Sequence, residues 1–163
     1  MSSPAADAGA PGVTRAGTGS PVGQQPAMLL RGAEDLPWLD LAVLAELEED
    51  LGSPDIAWNF AQDYIRIWRR RRDALAAGLE RGERSAALDA VISLRISAAM
   101  IGGLRLAHLA QTLHALIQEG DLERCVSLLP RVDDYGTATV HEIQHKYLAR
   151  AEQSQAPAPF SAS

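Results

Sequence analysis

A single cysteine, Cys125, leaves no possibility of an internal disulfide framework. Aromatics are also scarce, at 5% of 163 residues against 47% hydrophobic overall, so any core must be built from Leu, Ala, Ile and Val. That composition suits packed helices. No window approaches the roughly 18 consecutive apolar residues of a membrane span. The N-terminus lacks the charged start and apolar run of a secretion signal, and a cytoplasmic location is the expectation. Basic charge is in deficit, with 15 Lys and Arg against 21 Asp and Glu, a net charge of −6 and a pI near 5.1. This argues against a general nucleic-acid binder. There is no glycine-rich phosphate loop, and no Ser-His-Asp or Cys-His arrangement is legible from spacing, so no cofactor is expected. With only Arg124 as a basic neighbour, Cys125 reads as a small packing residue.

What is present is a helical pattern between two polar tails. Residues 1–35 are rich in Ala, Gly, Pro, Ser and Gln without an apolar period, and the run from 151 to 163 is similar. Such segments bury too little surface to offset their ordering entropy, so both are expected to be disordered. The domain is expected over 36–150. Gly52, Gly82, Gly102, Gly103 and Gly120 each fall where a helical pattern ends, the position of a left-handed cap. Asp40 is a plausible N-cap for a short helix over Leu41–Leu51. Ser53-Pro54-Asp55 supplies a cap, a first-turn proline and an acid at the positive helix end. Further helices are expected from Pro54 to about Arg81, with Phe60, Tyr64, Ile67 and Leu75 on one buried face, and then over Ser85–Gly102 and Leu104–Glu119. A last stretch from Asp121 to about Arg150 should be kinked or interrupted by Pro130 and Gly136. No run alternates like a strand. The expected fold is all-α, an antiparallel up-and-down four-helix bundle with a short N-terminal helix.

The most informative stretch is Val91-Ile92-Ser93-Leu94-Arg95-Ile96-Ser97-Ala98-Ala99-Met100-Ile101-Gly102-Gly103-Leu104-Arg105-Leu106. It resembles the central motif of histidine-containing phosphotransfer (HPt) domains, with Ile92 where that family has its phosphorylated His. The resemblance extends in element order over most of 36–150 and implies the same bundle topology. In the family the His carries a phosphoryl group between receiver-domain aspartates. An isoleucine has no lone pair to attack an acyl phosphate, so the resemblance implies a member without its phosphoacceptor and with no catalytic residue. Arg95 stands where the family has a Lys that helps hold phosphoryl oxygens, and keeps the charge. Ile96 stands where a Gly gives the receiver clearance. Val91, Leu94, Ala98 and Ile101 share a stripe suited to the core, while Ile92, Arg95, Ile96 and Ala99 form a second stripe. In the family that second stripe meets the receiver. Here it is the candidate partner face, with packing of Ile92 and Ile96 under a neighbouring segment as the plainer alternative.

Other constellations point elsewhere. His141-Glu142-Ile143-Gln144-His145 is a literal H-E-x-x-H, in which two imidazoles one turn apart can bind zinc while Glu acts on its water. A third ligand is wanting downstream except for Glu152, and ordinary solvated histidines are the simpler reading. His108 and His114, six residues apart, fall on different faces of one helix, and neither occupies the family's His position. Arg66, Arg69, Arg70, Arg71 and Arg72 surround Trp68, which permits base stacking, although pairing with Glu46, Glu48, Glu49 and Asp50 is the simpler expectation.

The expected function is therefore a non-phosphorylatable HPt-like module of bacterial two-component signalling. Its partner would be the receiver domain of a response regulator or a hybrid histidine kinase, with neither nucleic acid nor membrane involved. A zinc-dependent hydrolase using His141, Glu142 and His145, and a helical scaffold unrelated to phosphorelay, are the alternatives.

Overall fold

The computed structural model describes residues 32–150, and within them every regular element is helical. A short 3-10 turn, Ala33–Asp35, leads into α1 (Leu41–Leu51), α2 (Pro54–Glu80), α3 (Arg84–Ile101), α4 (Leu104–Gln118) and α5 (Leu122–Glu142), which continues as a π-helical turn over Ile143–Leu148. The expected tails lie outside the described residues except at 32–35. There Ala33 is fully buried, so ordered packing begins before residue 36.

The start and stop chemistry works as the sequence indicates. Asp40 accepts from the Ala42 N–H at 3.0 Å, Ser53 from Asp55 at 3.2 Å and Asp121 from Arg124 at 3.2 Å, each satisfying an N–H that has no partner within its helix. Gly52, Gly82, Gly102 and Gly120 adopt positive φ. Gly103 does not, contrary to expectation: its φ is −78°, and it is small for another reason, since a Cβ there would come within 2.8 Å of Thr139 Cγ2.

The short links reverse the chain after each of α2, α3 and α4. Each of these helices packs on its successor, α5 returns against α2 to close the bundle, and α1 lies across α2 and α3. Tyr64, Leu75, Val91, Leu94, Ile101, Leu106, Leu109, Leu113, Ile117 and Leu128 fill the interior. The buried face of α2 differs in part from the sequence expectation. Tyr64 and Leu75 are buried with Ala57, Ala61 and Trp68, while Phe60 and Ile67 are only half-buried.

Trp68 explains the second correction. The α5 helix runs unbroken through both Pro130 and Gly136. A Cβ at Gly136 would lie 2.0 Å from the Trp68 ring, so this glycine makes room for the indole rather than ending the helix. Pro130 is exposed, and its missing N–H costs one backbone bond on a helix held from beneath by Leu128, Leu129 and Val132. The regular α pattern gives way only at Ile143.

The segment before α1 is strapped down by one side chain. Arg105 on α4 donates from Nε to the Leu36 carbonyl at 2.5 Å and from Nη2 to the Glu34 carbonyl at 2.8 Å, and its guanidinium stacks 4.2 Å from the Trp38 ring. Trp38 in turn meets Tyr135 edge-on at 5.1 Å. The Asp40 N–H donates to the Gly102 carbonyl at 2.8 Å, and a side chain at residue 102 would collide with the Asp40 carbonyl at 2.6 Å. The motif's glycine thus admits the N-terminal segment to the end of α3.

Candidate functional site

The α3 helix carries the candidate face. Ala86, Ala87, Leu88, Ala90, Leu94, Ala98 and Ala99 favour the helix, and neither Gly nor Pro interrupts it before Gly102. Its start is fixed by Arg84, which donates from Nε to the Ile117 carbonyl at 3.1 Å and also bonds the Gln118 carbonyl. A cation there also complements the negative end of α4. Val91, Leu94, Ala98 and Ile101 are all essentially buried, as their spacing requires.

The second stripe divides. Ile92 is half-buried and packs against the core cluster. Arg95 is half-buried and turns toward α4, where its Nη1 donates to Gln111 Oε1. Ile96 is 49% exposed and Ala99 is exposed. Adjacent residues on a helix differ by about 100° in direction, so Arg95 and Ile96 lean toward opposite neighbours. Ile96 leans toward α2. There it borders a cavity of about 260 Å³ with Phe60, Tyr64, Ile67, Ser93 and Met100, which continues into a groove of about 560 Å³ reaching Arg70, Arg71, Ala86 and Asp89.

Met100, 46% exposed, was missed in the sequence although its i, i+4 spacing from Ile96 was visible there. The two make an apolar lip on the open side of the α2–α3 seam. Tyr64 lies beneath them, 2% exposed, and its hydroxyl has no hydrogen-bond partner. Burial pushes that hydroxyl's pKa up, opposed in part by Arg71. Chemically, position 92 presents a hydrocarbon side chain near a cation, Arg95, already hydrogen-bonded to an amide.

The histidines do not converge on this place. His108 and His114 are half-buried on α4, with His114 one turn beyond Gln111. His141 and His145 project from the end of α5 and from the π-turn, both exposed, with ring centroids 4.1 Å apart. Glu142 is engaged by Lys146 at 2.5 Å. Among the described residues no group of three His, Cys, Asp or Glu side chains is placed to hold a metal, so the zinc-hydrolase alternative lacks its third ligand there. Cys125 is fully buried, and its thiol is pushed up to about 12 by that burial and by Asp121.

The arginine cluster also resolves differently from expectation. Trp68 is only 6% exposed beneath Gly136, which removes the indole from any base-stacking role. Arg72 pairs with Asp133 on α5 through two bonds of 2.5 and 2.7 Å and with Asp73 at 3.2 Å, while Arg66 pairs with Asp63 at 3.3 Å. The expected pairing with α1 does not form. The chain turns at Gly52 between α1 and α2, and the ion pairs of Arg66 and Arg72 are to Asp63, Asp73 and Asp133. Glu48 instead accepts from the Tyr147 hydroxyl at 2.8 Å. No helix among the described residues is long and apolar enough to cross a membrane.

No protein-family profile matches the chain, and no curated protein matches it either. Among solved structures, the crystal structure of histidine-containing phosphotransfer protein B (HptB) from Pseudomonas aeruginosa PAO1 matches with a TM-score of 0.62 and 21% identity, covering 72% of this chain and 96% of that one. The fold of this chain is thus an all-α bundle like that of this histidine-containing phosphotransfer protein.

Proposed function

We propose that the protein is an HPt-like signalling module that docks a receiver domain, of a response regulator or a hybrid histidine kinase, without accepting its phosphoryl group. One observation supports the reading: within a bundle of HPt shape, the residue that the motif resemblance matches to the reactive histidine is the half-buried Ile92, while Ile96 and Met100 near it stay about half exposed. Phosphoryl transfer to a histidine requires a ring nitrogen with a free lone pair at the receiver's acyl phosphate. Hydrocarbon at position 92 cannot provide one. An apolar lip of this kind has instead the character of a protein contact. Ile92, Arg95, Ile96 and Ala99 form the proposed contact face, which Met100 extends toward α2. A module that occupies a receiver without discharging it would shield the aspartyl phosphate or compete with phosphorylatable partners.

The test is a binding and phosphotransfer panel against receiver domains, with and without phosphorylation, using the wild type, Ile92→His and Ile96→Glu. The expected outcome is saturable binding by the wild type with no transfer of label. Ile96→Glu should weaken that binding at least about tenfold, roughly 1.4 kcal/mol, through an unpaired charge in the contact. Label on the wild-type chain would overturn the reading and direct attention to His108 and His114. Absence of binding by every form would favour a scaffold with unrelated partners.

A further inference from the structure

The pair His141 and His145 is left unused by the docking face. Its geometry is nevertheless that of a chelate. The two rings leave the same side of the helix with centroids 4.1 Å apart and planes inclined by 36°. Both are exposed, whereas Ile143 and Tyr147 of the same turn are buried and Tyr147 is tied to Glu48. The backbone presenting the rings is therefore held from beneath, which limits the entropy lost on fixing both. The π-helical turn Ile143–Leu148 begins between them. Such turns are rare and often occur at functional positions.

The geometry points to a binding site for a divalent transition-metal ion, with one imidazole nitrogen from His141 and one from His145 as its two protein ligands. Imidazole suits zinc, copper and nickel, and zinc sits about 2.0–2.1 Å from a histidine nitrogen. Two nitrogens at that distance from one ion are only about 3 Å apart, within reach of rings already this close after small rotations about their side-chain bonds. Two protein ligands leave the other positions to water, so the ion should exchange readily. Glu142 is not part of the set. Lys146 holds its carboxylate at 2.5 Å, so the site binds a metal without a poised base for hydrolysis. This inference is independent of the docking proposal.

Calorimetric titration of the full chain with zinc chloride, followed in parallel by the histidine ring resonances in NMR, tests it. The expected result is uptake of one zinc ion per chain, with ring shifts confined to His141 and His145. His141→Ala and His145→Ala should each weaken binding at least about tenfold. Glu142→Gln should leave affinity unchanged. The exposed positions make folding failure easy to exclude by circular dichroism. The assignment fails if the wild type takes up no zinc, or if the double histidine variant binds as the wild type does. A loss in Glu142→Gln equal to that of the histidine variants would also refute the two-histidine ligand set.

Discussion

At the scale of single residues, the side chains with the most consequence are those sequestered from water. Cys125 behaves as a small hydrophobe, with its thiol directed 3.8 Å from the Leu113 carbonyl. Its folded pKa is raised from 9.0 to about 12, so the folded state favours the neutral thiol. The sign follows directly. Below pH 9 both states hold the proton and the contribution is complete; above it the unfolded thiol ionises first, and stability is lost as pH climbs toward 12. The slope per group is about 1.4 kcal/mol per pH unit. Urea denaturation at a series of pH values should therefore show stability declining from about pH 9, with the first part of the decline absent in Cys125→Ala. An identical alkaline profile in that variant would show that the thiol is not responsible. Tyr64 and Tyr147, whose hydroxyls are also shifted upward mainly by burial, add to the loss at still higher pH.

At the scale of elements, the α2–α5 contact has a polar rivet as well as a core. The fork of Arg72 on Asp133 matches the planar geometry of a guanidinium–carboxylate pair, and the Asp133 bond holds the Arg72 pKa up. The pair is partly solvated, with side chains 28% and 43% exposed, so its contribution is that of a good surface bridge, about 1 kcal/mol. A double-mutant cycle with Arg72→Ala and Asp133→Ala should return a coupling of that size, falling as salt is raised. A coupling indistinguishable from zero at low salt would mean that the pair merely occupies a position fixed by the surrounding packing.

At the scale of the whole molecule, closure of the bundle depends on Trp68 lying against Gly136. A methyl group there has no space, so Gly136→Ala should cost about 3 kcal/mol through overpacking. Fluorescence and circular dichroism should report one common transition shifted to lower denaturant, because the defect separates the last helix from the second. The fold was largely legible beforehand because its punctuation is local. Asp40, Ser53-Pro54 and the glycines at 52, 82 and 120 act within a few residues of themselves. What escaped was long-range. No periodicity pairs Trp68 with Gly136, Arg105 with Trp38, or Arg72 with Asp133 rather than with α1. Gly136, taken alone, read as a breaker because the ring it accommodates is 68 positions away. The candidate face was legible as a set of positions on α3, but its division was not. How Arg95 and Ile96 split between α4 and α2 depends on the rotation of α3 in its seat, which only the packed neighbours define.

The hydrogen bond from Arg95 to Gln111 bears on any attempt to install new chemistry at position 92. A histidine substituted there would find the nearby cation already committed to α4 and the branched side chain of Ile96 one turn on. Under the proposed reading, residues 92, 95 and 96 would have to change together before an imidazole there could serve as a phosphoacceptor.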